Sequence, residues 1–457
     1  MKRVYFGTDG VRGPYGGPLI NEDFAARLGY AAACWALGIA EGGGVACESD
    51  LVLIGRDTRA SGPSLERALA AGLRAGGLRP VSLGVVPTPA VARAVAARRA
   101  RLGVVVTASH NPAADNGIKF FTVGGFKLTD AEEVAIEAAL PAIGVEFGLS
   151  SPDEGLATLA GVTEDYAAAL ASRMPAGVLA GWRIVVDTAN GATCATTPGA
   201  LRQLGAEVHV IGGVPDGSNI NAGVGSEHPE RLAREVIARG ARVGVAHDGD
   251  GDRCLLCDET GSILDGDEML TMLAIEALRC GALAANTLVV TVQSNLGVDA
   301  AIRAAGGRVE RTEVGDRYVL ERLRAIGARL GGEASGHIVN LDVSPSGDGL
   351  AAALGVLSVM QVSGRPLSEL RLGLSKYPQG TRNLRVQEKR PLQECLALSA
   401  ELVALTRSLG NEGRVMARFS GTEPKLRLLV EAQESTAVGL ALDRLEAAAR
   451  RDLAVSG

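Results

Sequence analysis

The stretch RLGVVVTASHNP, Arg101 to Pro112, joins an Arg-Leu-Gly string to an apolar run and then to a polar loop. Near-copies of that opening string occur twice more: RVG at Arg242 leads into DGDGDR, and RLG at Arg329 leads into GEASGH. Upstream of each lies an apolar, β-branched segment, LVLIG from Leu51, RIVVD from Arg183 and TLVVTV from Thr287. Such segments read as buried strands. A helical stretch follows each one and closes on a similar signature: LRAGG from Leu73, LRQLG from Leu201 and IRAAG from Ile302. A closing Gly suits a helix C-terminus, because it takes the left-handed conformation without a Cβ clash.

Spacings of about 100 residues are too long for a solenoid, so the repeat predicts three related α/β domains with mixed sheets. In open α/β sheets ligands bind outside the carboxyl ends of the strands, so the three polar loops are expected to meet over a central active-site cleft. The end of the chain lacks the pattern. There RVMARFSGTEPKLRLLVE, from Arg414, reads as strand, loop and strand before a helix, a smaller C-terminal α+β domain. The expected domains are 1–152, 153–260, 261–370 and 371–457, carrying in turn the TASHNP, DGDGDR, GEASGH and RFSGTEP loops.

Composition agrees with a soluble α/β enzyme: 47% hydrophobic and 21% charged residues, with 60 glycines. Aromatics make up only 3%, so Ala, Val and Leu must fill the cores. A net charge of -6 gives no basic footprint for nucleic acid. Seven scattered cysteines fit a reducing compartment, and Cys254 and Cys257, a lone C-x-x-C in a strand, read as small buried hydrophobes. MKRVYFGTDG has no apolar signal region, and the longest apolar run, Phe24 to Ala40, contains Arg27 and falls short of the ~20 residues of a membrane span. A cytoplasmic protein is expected.

Ser109 and His110 are neighbours in TASHNP. In an extended segment they point to opposite faces, which argues against a simple serine hydrolase. DGDGDR offers another partner. Asp248, Asp250 and Asp252 alternate, so a gently turning loop puts three carboxylates on one side for a divalent cation. The acidic spacing through Glu259 also matches a calcium EF-hand loop, but Arg253 stands where that loop needs Gly and the flanks read as strands. A hard cation suits phosphate oxygens, and phosphorylated Ser109 would carry about -1.5 to -2 charge, which points to phosphoryl transfer with Arg253 holding the remaining oxygens. In GEASGH, Glu333, Ser335 and His337 have period two and share a face if extended, a set suited to sugar hydroxyls with His337 as a proton carrier. RFSGTEPKLR supplies Arg418, Ser420, Gly421, Thr422 and Arg427 as a phosphate cradle. GTDGVRG and GRDTRASG add Arg12, Arg56 and Arg59 in Gly-rich loops. For each of these loops an ordinary structural turn is the plainer alternative.

GTDGVRG, TASHNP, NGIKFF, DGDGDR, VGDRYV, GEASGH and RFSGTEP, in that order, resemble the α-D-phosphohexomutase superfamily over nearly the whole chain. The resemblance implies four domains around a central cleft and isomerisation of hexose or hexosamine phosphates through a bound 1,6-bisphosphate. By the same likeness Ser109 is the phosphoserine, and Asp248, Asp250 and Asp252 bind Mg2+, which Ser109 helps to ligate through its phosphate. It also implies that Glu333 and Ser335 read sugar hydroxyls, and that Arg418, Ser420, Gly421, Thr422 and Arg427 clamp the phosphate not being transferred. Arg12, His110, Lys119 and Arg253 surround the transfer site, with Lys119 or His337 moving protons. The family further suggests a homodimer. His247 departs from the apolar residue or Asn expected there and bears on the pH dependence of metal binding. A sugar phosphate phosphatase and a non-catalytic binding protein are the rival readings.

Overall fold

A computed structural model describes residues 3–38, 47–141, 155–419 and 424–456. The chain separates into two compact units, one of residues 1–293 and 305–373, the other of 294–304 and 374–457.

In the first unit the three apolar runs become the inner strands of three sheets. β1 (Val11–Pro14), β2 (Leu51–Arg56), β3 (Arg79–Val85), β4 (Leu102–Val106) and β5 (Asp115–Thr122) align in the order β1-β5-β4-β2-β3. β6 (Arg183–Asp187), β7 (Glu207–Ile211), β8 (Val243–His247), β9 (Cys254–Asp258) and β10 (Ile263–Leu264) align as β10-β9-β8-β6-β7. β11 (Thr287–Thr291), β12 (Arg308–Thr312), β13 (Leu330–Gly332) and β14 (Ile338–Asn340) align as β12-β11-β13-β14. The three sheets therefore share a core of three parallel strands and one antiparallel strand in the same spatial order, to which β1 and β10 add a fifth strand at the edge of the first two. TASHNP, DGDGDR and GEASGH leave the carboxyl ends of the equivalent strands β4, β8 and β13. The closing glycines of the three helix signatures, Gly77, Gly205 and Gly306, have φ of +95°, +94° and +86°.

The scarcity of aromatics has a structural counterpart in the first sheet's cover. A Cβ added to Gly72 would lie 1.8 Å from the Ala26 carbonyl oxygen, and one on Gly29 would lie 2.4 Å from that of Leu69. Helices Glu22–Ala36 and Gly62–Ala75 thus pack backbone against backbone, which only small residues allow. The apolar run from Phe24 is largely the first of these helices, with Arg27 reaching out to the Pro141 carbonyl. Among the described residues no single helix is long and apolar enough to cross a membrane. All seven cysteines are free, and Cys254 and Cys257 are buried on β9.

In the second unit β15 (Gln379–Val386), β16 (Gly413–Phe419), β17 (Lys425–Ala432) and β18 (Val455–Ser456) form an antiparallel sheet in the order β16-β17-β15-β18. Helices Leu396–Leu409 and Ser435–Asp452 share a core with it that includes Leu405, Leu426, Leu428, Val430 and Leu445.

Candidate functional site

The serine loop is held by a buried arginine. Arg59, 1% exposed, pairs with Asp57 through Nε and spends its terminal nitrogens on four carbonyl oxygens, those of Ser109, Asn111, Pro112 and Asp115. Asp57 in turn accepts from the Thr107 hydroxyl, which accepts from the Ser109 amide. This scaffold keeps Ser109 at φ +53°, a left-handed backbone that costs a non-glycine residue about 1–2 kcal/mol. The expected extended segment is therefore replaced by a kink, and the Ser109 Oγ comes within 3.3 Å of His110 Nδ1 after all. The hydroxyl nevertheless donates to Asp248 Oδ2 at 2.5 Å. Burial, and then the charge of Arg253, lower the His110 pKa.

The aspartates come from the β8–β9 turn, where Gly251 takes φ +72°. One carboxylate oxygen from each of Asp248, Asp250 and Asp252 lies within 4.8 Å of the others, and all three residues are buried. Burial, then Asp250 and Asp252, push the Asp248 carboxyl well above the usual range. Burial also raises Asp252, but Lys119 and His337 outweigh it and hold that carboxyl well below. Lys119 Nζ sits 2.8 Å from Asp250 and 3.2 Å from Asp252, and Thr88 donates to Asp250 at 2.5 Å. Asp250 Oδ1 and Asp252 Oδ1 are buried without a hydrogen-bond partner among the described residues. Three converging carboxylates with orphaned oxygens fit a hard dication. Glu259 is not part of the set; it accepts from Ser368, so the EF-hand alternative fails.

Around the trio runs a chain of alternating charge. Arg12 pairs with Asp9; Asp9 pairs with Lys119 and, at 2.6 Å, with Lys127; Lys127 pairs with Asp316 at 2.5 Å. Asp316 then meets His337 Nε2 at 3.1 Å, and Asp252 lies 3.6 Å from His337 Nδ1. Burial opposes charge on His337, but Asp316 and then Asp252 raise its pKa to about 10. Arg253 stays cationic: Asp248 and Asp252 overcome the burial that lowers its pKa. It lies 3.5 Å from Glu227, and its Nε, like that of Arg12, is buried with no hydrogen-bond partner among the described residues. These are donors available to an anion.

His247 turns away from the aspartates. Its Nε2 lies 2.9 Å from the Thr197 hydroxyl and its Nδ1 donates to the Arg253 carbonyl at 3.0 Å, while burial lowers its pKa to about 4. GEASGH is not extended as expected. Glu333 to Gly336 form a tight turn, with Gly336 at φ +88°, between the antiparallel β13 and β14. Glu333 is half-buried and accepts from the Gly315 amide, Ser335 is exposed, and His337 points into the charge chain, so strand alternation does not align the three. In the second unit Arg418 and Arg427 are exposed and face each other across β16 and β17. Like charges paired in this way repel, and an anion relieves that repulsion. Ser420, Gly421 and Thr422 lie outside the described residues.

Asp9, Lys127, Thr88 and Asn221, and the hub role of Arg59, escaped the sequence reading. Asp9 and Asp316 stand in quoted motifs, and their alternation with basic residues was the available signal; Asn221 gave none.

This fold and site define a family of sugar-phosphate mutases. Models of the phosphoglucomutase/phosphomannomutase family match residues 3–145 and 164–261 (α/β/α domains I and II), 265–377 (domain III) and 382–448 (C-terminal domain). The chain belongs to this family and is a mutase, an isomerase. It is 46% identical over 437 residues to a phosphoglucosamine mutase of Moorella thermoacetica, covering 94% of this chain and 95% of that one. It is 45% identical to a phosphoglucosamine mutase of Aeromonas salmonicida, covering 96% and 97%. A phosphoglucomutase/phosphomannomutase family protein of Burkholderia thailandensis superposes with a TM-score of 0.80 at 25% identity over the whole of both chains. The Aspergillus fumigatus N-acetylphosphoglucosamine mutase, solved with GlcNAc-6P and magnesium, shares the fold with a TM-score of 0.62 at 18% identity over 99% and 96%.

Proposed function

We propose that this protein interconverts glucosamine 6-phosphate and glucosamine 1-phosphate, with Ser109 as the phosphoryl carrier. The observation that carries the reading is the Ser109 hydroxyl held against Asp248 in a buried carboxylate trio, ringed by Arg12, Arg253, His110 and Lys119. Asp248, Asp250 and Asp252 would hold Mg2+, whose chemistry when bound is to neutralise charge on phosphoryl oxygens.

In the first half-reaction the bond from phosphorus to Ser109 Oγ breaks and a bond to the free 1- or 6-hydroxyl of the sugar forms, giving the 1,6-bisphosphate. Arg253 and Arg12 stabilise the oxygens in flight, and their rigid placement costs no reorganisation at that moment. Lys119 and His337 are both held protonated by their carboxylate neighbours, so one of them gives its proton to the departing Ser109 oxygen and takes the sugar hydroxyl proton in exchange. In the second half-reaction the other phosphate returns to Ser109. Glu333 and Ser335 read the sugar hydroxyls, and Arg418 and Arg427, with Ser420, Gly421 and Thr422, bind the phosphate that stays.

The choice of an amino sugar rests on the two relatives that are 46% and 45% identical. Comparing kcat/KM for glucosamine, glucose and mannose 6-phosphates tests it; a preference for either neutral sugar would reassign the substrate. Ser109→Ala is expected to abolish turnover while sugar phosphate still binds. Inorganic phosphate release outpacing isomerisation would instead favour a phosphatase. Seven free cysteines support a reducing, cytoplasmic setting. The family resemblance supports a homodimer, which light scattering checks.

A further inference from the structure

The geometry points to Asn221 as a positioning residue for Ser109, acting on the serine loop from the segment that follows β7. This inference rests on the reading of Ser109 as the phosphoryl carrier. Asn221 is buried at 7% exposure, and its amide nitrogen donates to the carbonyl oxygens of both Ser109, at 2.8 Å, and Asn111, at 3.0 Å. Those are two of the four carbonyls that Arg59 holds. Ser109 is thus gripped twice, by a guanidinium from the segment after β2 and by an amide from the segment after β7.

The grip is tied at both ends. Near Arg59, the Ala60 amide donates to the Gly217 carbonyl at 2.9 Å, and the Thr58 hydroxyl donates to the Asn190 carbonyl at 2.6 Å. Near the metal loop, the Ser226 amide donates to the His247 carbonyl at 2.8 Å, one residue before Asp248. Asn221 is itself fixed through its amide to the Ala189 carbonyl at 2.9 Å. Gly249, between two of the aspartates, completes the contact: a Cβ there would lie 2.6 Å from the Ser109 carbonyl and 3.0 Å from Asn221 Nδ2. The segment from 212 to 226 therefore sets the distance between the serine and the aspartates. Asn221 has φ +59°, which explains the residue type, because Asn tolerates the left-handed region while offering two donors.

That backbone also supplies a clean variant. Gly accepts the left-handed conformation, so Asn221→Gly keeps the chain path and loses the donors; Asn221→Asp keeps the path too but sets a buried carboxylate against the same two carbonyl oxygens. In full-length, magnesium-loaded protein we expect each variant to lower kcat at least about tenfold with KM for glucosamine 6-phosphate within about threefold, as misplacement of one reacting group requires. The melting temperature of Asn221→Gly should stay within about 4 °C of the parent. A kcat within about twofold of the parent in either variant overturns the inference. So does a loss of activity that merely follows the folded fraction, since a structural role predicts normal kcat per folded molecule. Ser109→Ala run alongside separates the two claims: if it turns over, the carrier reading fails, and if it is inactive while the Asn221 variants match the parent, only the positioning role fails.

Discussion

The Ser109 hydroxyl donates to Asp248 Oδ2 at 2.5 Å, although the two residues leave different sheets and stand 139 positions apart. Placing a hydroxyl on a buried carboxylate is stable; placing a phosphoryl group there sets like charge against like. The pair therefore behaves differently once Ser109 is phosphorylated, and a cation decides the sign.

Chelation should consequently destabilise the phosphorylated protein more than the unphosphorylated one. With Mg2+ removed, a group of about -1.5 to -2 charge faces a trio of aspartates, and repulsion of this kind shifts melting by several degrees. Differential scanning fluorimetry of both forms, with and without EDTA, checks this. Equal shifts would mean that the phosphate and the carboxylates do not share a cation.

A second prediction concerns stability away from the chemistry. Arg317, 2% exposed, grips Glu133 with two nitrogens at 2.6 and 2.7 Å and Asp130 with one at 2.5 Å, joining helices Asp316–Ile326 and Asp130–Ala138. Replacing Arg317 with Met leaves Glu133, 2% exposed, with Arg3 as its remaining cation at 2.8 Å. Denaturant titration should show a loss of about 1–3 kcal/mol, and adding Glu133→Gln should recover much of it, because Glu133 loses two charge-assisted hydrogen bonds and keeps only the one from Arg3.

Thiol chemistry provides a third. Burial, reinforced by Asp258, pushes the Cys257 thiol up to about 12, so it stays protonated across ordinary buffers, while Cys280 is exposed. Native protein at about pH 8 should label rapidly at Cys280 and not at Cys254 or Cys257. The sign for stability follows. An unfolded thiol ionises near pH ~8.5 and the folded one near 12, so the contribution of Cys257 is intact below pH ~8.5 and declines as pH rises toward 12. Mass spectrometry of alkylated native protein reads the labelling; fast modification of Cys257 would contradict its burial.

Much of the fold was legible because its signals are local. Apolar runs at Leu51, Arg183 and Thr287 announce inner strands, closing glycines announce helix ends, and the common order of elements places three polar loops at equivalent strand ends. The aspartate trio was legible for the same reason: alternation within five residues needs no knowledge of the rest of the chain. Backbone kinks were not. Left-handed Ser109 and the turn through Gly336 look in sequence like extended segments, because what bends them is Arg59, 50 positions from Ser109, and a hairpin closed by pairing of β13 with β14. Asp9, Lys127 and Asn221 were also hidden. A single charge or amide in a loop reads as solvated until its partner, 118 positions away for Lys127 and Asp9, is known.

The most direct measurement is the 31P spectrum of the native protein, with Mn2+ then replacing Mg2+. The account predicts one phosphoserine resonance, lost in Ser109→Ala and broadened away by stoichiometric Mn2+ in the parent but not in an Asp250→Asn, Asp252→Asn variant that no longer holds the ion. A phosphoserine signal that survives Ser109→Ala, or one that stays sharp with Mn2+ bound to the aspartates, would contradict it.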